Sequence, residues 1–148
     1  MKKIHLITIA LLTLCLTACG KQETSAPASK DLPDGNYTEI GEGTVYLSTV
    51  SGTSENGNVP VVYTDSDTSM LQIGLDSSNF NGGNLSYIYV DGYLLDKIQM
   101  GDSQNTLTLQ DNSLATGIHK VEIVQYENDD TASTMITYKT TSYEIKTK

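Results

Sequence analysis

The 148-residue chain has no arginine and no tryptophan, one phenylalanine (Phe80), three prolines and two cysteines. Nine lysines stand against 18 acidic residues, a formal charge of −9. A surface of that sign repels nucleic-acid phosphates and anionic lipid headgroups, which argues against nucleic acid as a partner and against a second, electrostatic membrane contact. Nowhere does an i, i+3, i+4, i+7 apolar stripe persist for three turns, so a helical fold is excluded. No apolar run reaches the roughly 20 residues needed to cross a bilayer.

The longest apolar run lies at the start. Lys2 and Lys3 precede residues 4–16, which are interrupted only by His5, Thr8, Thr13 and Cys15. A basic start, a short apolar core and small residues after it form an export signal, and the absence of a basic stop means that it is removed. Leu16-Thr17-Ala18-Cys19, followed by Gly20, resembles the lipobox of bacterial lipoproteins. That resemblance implies cleavage between Ala18 and Cys19 and attachment of diacylglycerol, with or without a further palmitate chain, to the Cys19 thiol. Each buried CH₂ of such a chain contributes about 0.8 kcal/mol of membrane affinity, so two or three chains anchor the protein permanently. The expected location is the extracytoplasmic face of the cell membrane. An ordinary cleavable signal that happens to end near a cysteine is the alternative.

Removing residues 1–18 leaves Cys19 as the one cysteine, so no disulfide is available, and leaves seven lysines against 18 acids, a charge of −11. Residues 19–32, with KQETSAPASKDL, are small and polar with little to bury, and read as a flexible tether spanning roughly 20 Å. Residues 33–148 are one domain by size.

Period-two alternation sets the class of that domain. Leu71, Ile73 and Leu75 alternate with polar neighbours, as do Leu107 and Leu109. In LSYIYVDGYLLDKIQ, Leu85, Tyr87 and Tyr89 point one way and Ile88 and Val90 the other, and Asp91-Gly92 is a strong hairpin turn. Further strands are expected over 44–50, 59–64, 117–127 and 134–145, the last bent or broken near Thr140. Loops such as SGTSENGN, SSNFNGGN and NDDTAS separate them. Seven or eight short strands predict an all-β antiparallel sandwich or small barrel. Leu114, Gly117, His119 and Val121 in LATGIHKVEIVQYEND, with the upstream YVDG, resemble bacterial immunoglobulin-like domains. The resemblance implies an immunoglobulin-like β-sandwich, although the Cys…Trp…Cys set of antibody domains is absent.

Residues that invite a chemical reading have duller competitors. His119 is the single histidine after processing; its inward parity with Val121, two residues after a turn glycine, favours a corner hydrogen bond over a general base or metal ligand. With no second histidine or cysteine, no transition-metal site or Cys/His nucleophile can be assembled. Asp65, Asp67, Ser69 and Asp76 have the spacing of a calcium loop, but Met70 stands where glycine is needed and residues 71–75 read as strand. Asp129 and Asp130 are a second acidic pair, and weak calcium binding at that loop is the alternative to solvated loop charge. Tyr87, Tyr89, Tyr93, Tyr126 and Tyr138 are expected on strands, and Phe80, between asparagines and glycines, at a loop tip that it plugs or presents.

No nucleophile elbow, phosphate cradle or hydrolase signature is present, and no cofactor is implied. The expectation is a non-catalytic binding module on a lipid tether, its partner an envelope or extracellular protein, peptide or glycan. Two alternatives stand beside it. One is an immunity or exclusion lipoprotein that captures a cationic peptide, phage or conjugation component. The other is a weakly catalytic or pheromone-precursor role, the latter through residues 11–18. The lysine-only, Asn- and Thr-rich composition leans towards a Gram-positive source.

Overall fold

A computed structural model describes residues 29–148. The signal peptide, the Ala18/Cys19 junction, lipidated Cys19, the pheromone-like segment and the tether up to residue 28 lie outside the described residues. Among the described residues, no helix is long and apolar enough to cross a membrane.

The strands are β1 (Thr44–Thr49), β2 (Gly52–Thr53), β3 (Val61–Thr64), β4 (Met70–Ser78), β5 (Leu85–Val90), β6 (Tyr93–Gln99), β7 (Ser103–Gln110), β8 (Gly117–Tyr126) and β9 (Met135–Thr147). They form a four-stranded sheet, β2-β1-β4-β7, and a five-stranded sheet, β3-β9-β8-β5-β6. This is the expected all-β, immunoglobulin-like sandwich: β1, β4 and β7 take the places of strands A, B and E, while β5, β6, β8 and β9 take those of C, C′, F and G. One pairing departs from the antiparallel expectation. The chain crosses between sheets over residues 54–60, so β3 runs parallel to β9, with Val62 opposite Ile145.

The core follows from the alternation. Ile73 lies opposite Leu107, Leu47 opposite Leu75, Ile88 opposite Ile123 and Val90 opposite Val121. All eight side chains are buried between the sheets together with Tyr143 and Ile145. Burying each such side chain contributes about 1.5–3 kcal/mol. Phe80 is buried in the same cluster, so of its two expected roles it takes the plug. Gln125, fully buried, holds that loop by donating from Nε2 to the carbonyls of Asn81 (3.0 Å) and Asn84 (3.3 Å) and to Ser86 Oγ (3.0 Å).

The Asp91-Gly92 hairpin forms as expected, with φ of 51° and 86°, the positive values that a two-residue turn of this type requires. β9 does not break near Thr140. It is continuous to Thr147, and the irregularity falls instead at Gln125/Tyr126 on its partner β8.

The five-stranded sheet carries a second apolar layer on its outer face: Tyr87, Tyr89, Val124, Tyr126 and Tyr138, all buried. This explains why β5 is apolar on both sides. Residues 30–42 form a strap across that layer. Leu32, placed at the end of the tether by sequence, is 2% exposed, and its N–H donates to Gly92 O at 2.9 Å. Tyr37 packs on Tyr138 with centroids 5.2 Å apart, and Ile40 exchanges two 3.1 Å backbone bonds with Tyr138. Glu39 Oε1 then accepts from Thr140 N–H at 2.9 Å, so a side chain occupies an edge donor that an added strand would use.

Candidate functional site

His119 opens β8 at the corner after β7, and its placement decides between its two readings. Its Nε2 lies 2.6 Å from Ala115 O; a carbonyl only accepts, so Nε2 donates there. Its Nδ1 lies 2.7 Å from Asp91 Oδ2, and its ring stacks on Tyr143 with centroids 5.0 Å apart. Tyr143 Oη donates to Ser113 O at 2.7 Å. The ring is 5% exposed with both nitrogens engaged, so it does the work of the corner tyrosine in immunoglobulin-like domains.

The acidic motifs also resolve into turns. Asp65 Oδ1 accepts from Asp67 N–H (3.2 Å) and Thr68 Oγ (2.8 Å), and these bonds hold its carboxyl below the usual range. Asp76 is seven residues beyond Ser69 within extended β4, roughly 23 Å away, so the calcium spacing is not gathered into one loop. Asp129 Oδ1 accepts from Leu85 N–H at 2.7 Å, and Asp130 Oδ1 from Ala132 N–H at 2.9 Å. Among the described residues no group of three His, Cys, Asp or Glu side chains is arranged to hold a metal ion.

On the strapped face, Glu122 Oε1 accepts from Tyr138 Oη (2.6 Å) and Lys120 Nζ (2.8 Å). Burial works against the Lys120 charge, but its bonds to Glu122 and Tyr138 outweigh that and hold it above its ordinary value. Burial raises Tyr138 to about 12. Of this trio Tyr138 meets the strap, packing on Tyr37 and pairing with Ile40, while the Lys120 side chain is half exposed.

What remains open is the outer face of the four-stranded sheet. Its cross-strand rows read Tyr46–Asp76–Gln104, Ser48–Gly74–Thr106 and Gln72–Thr108. These are hydroxyls, amides, one phenol and one carboxylate, followed at the end of the sheet by exposed Met70 opposite Gln110, and among the described residues no strap lies over them. A hollow of about 400 Å³ is lined there by Tyr46, Asp76, Ser78, Asp102 and Gln104. Tyr46 also borders a lateral groove of about 580 Å³ between β1 and β9. The Asp76 carboxylate, with a smaller contribution from burial, holds the Tyr46 phenol above its ordinary value. Sequence reasoning weighed Asp76 only as a member of the calcium spacing that it rejected, and passed over Tyr46 and Gln104. The signal was in the outward parity of two strands, but their pairing partners were not readable.

The loops at the Phe80 end carry Glu42, Asp102, Glu127, Asp129 and Asp130, and no lysine.

Neither a family model nor a curated protein matches the chain. Among solved structures, the fibronectin(III)-like modules of Clostridium thermocellum CbhA are similar at 14% identity and a TM-score of 0.39, over 70% of this chain and 98% of that one. The sandwich assignment rests on the strand pairing described above.

Proposed function

We propose that the protein is a lipoprotein held through Cys19 on the extracytoplasmic face of a bacterial cell membrane, and that its sandwich is a non-catalytic module binding an envelope or extracellular partner. The observation that carries this reading is the asymmetry of the two outer faces: one is sealed by the strap, the other is uncovered among the described residues and mostly polar. The histidine and the loop carboxylates, the groups with acid–base chemistry, serve turns and corners instead. The strap begins beside Gly92, so a short tether keeps that end near the bilayer and leaves the open sheet and the Phe80 end accessible.

The test uses the mature chain with Cys19→Ser, added to cells of the host. It is retained on the envelope, and Thr106→Arg on the open face abolishes retention while Leu94→Arg on the other sheet does not. Equal retention of both variants would sink the assignment of the face.

The immunity or exclusion reading draws on the five acidic residues at the Phe80 end. Capture there weakens steeply with salt, whereas binding on the uncharged rows of the open sheet does not.

A further inference from the structure

We propose that the open face of the four-stranded sheet is a saccharide-binding site, centred on Asp76 and Tyr46, for a neutral glycan. The inference names the ligand class of the face assigned above and rests on that reading.

Asp76 is a charged residue on the outer side of a sheet, yet it is only 8% exposed. A carboxylate so placed is costly unless its oxygens are hydrogen-bonded. Its Oδ2 accepts from Ser48 Oγ at 2.8 Å, while its Oδ1 accepts from no described residue and is open to solvent, since no buried side-chain oxygen among the described residues lacks a partner. That oxygen belongs to a side chain lining the 400 Å³ hollow. The Ser48 bond depends on its neighbour: a Cβ at position 74 would lie 2.1 Å from Ser48 Oγ, so only glycine lets Ser48 lie across β4 and reach Asp76. Gly74 and Ser48 together hold a carboxylate with one acceptor left over.

The neighbours define what fills it. Tyr46 and Gln104 are the cross-strand partners of Asp76 on either side. A sugar presents hydroxyl donors to a carboxylate and both donors and acceptors to an amide, and its C–H face packs on an aromatic ring. Ser48, Gln72, Thr106 and Thr108 continue the hydroxyl and amide surface along the sheet, roughly 13 Å from Asp76 to Gln72. Asp102 lines the same hollow, so phosphate- or carboxylate-bearing polymers are repelled. A lysine ammonium from a partner would satisfy Asp76 but leave the uncharged rows without a role.

The experiment is an NMR titration of the mature Cys19→Ser chain with maltohexaose, cellohexaose and N-acetylchitohexaose, and separately with an oligolysine peptide. At least one saccharide is expected to shift resonances of Tyr46, Ser48, Gly74, Asp76 and Gln104, with little dependence on salt. Asp76→Asn keeps the side-chain shape and weakens that binding by about tenfold or more, as loss of a hydrogen bond to a charged group does. Gly74→Ala weakens it through Ser48, and Gln110→Ala, at the far end of the same face, leaves it unchanged. If Gly74→Ala does not fold, Asp76→Asn alone carries the test. The proposal is overturned if none of the saccharides shifts these residues, if Asp76→Asn leaves saccharide affinity intact, or if only the oligolysine binds there. A Thr106→Arg chain that loses envelope retention, alongside a wild type that binds no saccharide, refutes the ligand class and spares the face.

Discussion

Nδ1 of His119 lies 2.7 Å from Oδ2 of Asp91, which ties the corner that leads into β8 to the turn of the β5–β6 hairpin. Asp91 also accepts Lys120 N–H at 2.9 Å through its other oxygen, so one left-handed turn residue organises two connections. His119→Ala removes the stack on Tyr143 and two hydrogen bonds and is expected to cost about 2–4 kcal/mol. Asp91→Ala loses less through its partly exposed carboxylate but adds strain at positive φ. Urea denaturation of both single variants and the double variant checks this. A coupling energy of about 1 kcal/mol or more is expected, because the residues share a bond; simple additivity would show that the corner and the turn are independent.

The buried tyrosines set an alkaline limit. Burial raises Tyr89, Tyr138 and Tyr143 above the ordinary value of 10.0, Tyr138 to about 12. A folded value above the unfolded one means that the contribution is whole below pH 10 and is lost as pH rises through the folded values. Lys120, also raised, acts in the same direction. The urea midpoint should therefore be level up to about pH 10 and fall above it. Tyrosinate absorbance should show these three ionising together with unfolding; independent ionisation in the folded state would contradict their burial.

The strap contributes to stability. Leu32→Ala opens the tyrosine layer at the point where the strap meets Gly92 and should cost about 2–3 kcal/mol, at the lower end of core leucine truncations because the layer lies near the surface. Hydrogen exchange should accelerate at the Ile40 and Tyr138 amides, which pair across the strap. Unchanged exchange would mean that the strap is held by its backbone bonds alone.

The proposed anchoring rests on one atom, the Cys19 sulfur. Wild type expressed in a bacterial host should partition with membranes and carry a diacylglycerol mass at Cys19, and Cys19→Ser should be released or unprocessed. If both are found soluble and unlipidated, Cys19 is an incidental thiol and the protein is a secreted factor.

Much of this architecture was legible. Period-two alternation at Leu71, Ile73 and Leu75, and at Leu107 and Leu109, reports which side faces the core whatever strand lies alongside, because successive side chains leave a strand on opposite sides. Asp91-Gly92 was equally plain, since few residue pairs accept two positive φ angles. His119 was readable as a corner residue from its distance to Gly117 and its parity with Val121. The doubly apolar β5 was visible too, but not its meaning. Tyr87 and Tyr89 could have marked an exposed recognition surface, and only the strap makes them a second layer.

Strand class, the main hairpin and the inward faces were thus determined by the sequence alone, because each depends on steric and solvation preferences within a few residues. The parallel β3–β9 pairing, the strap over the tyrosines, and the Tyr46–Asp76–Gln104 row were decided by the tertiary structure. Each joins segments some 28 to 101 residues apart, as Asp76 with Gln104 and Tyr37 with Tyr138 show, and hydrophobic burial that is non-directional says which side goes inward without saying which strand becomes its neighbour.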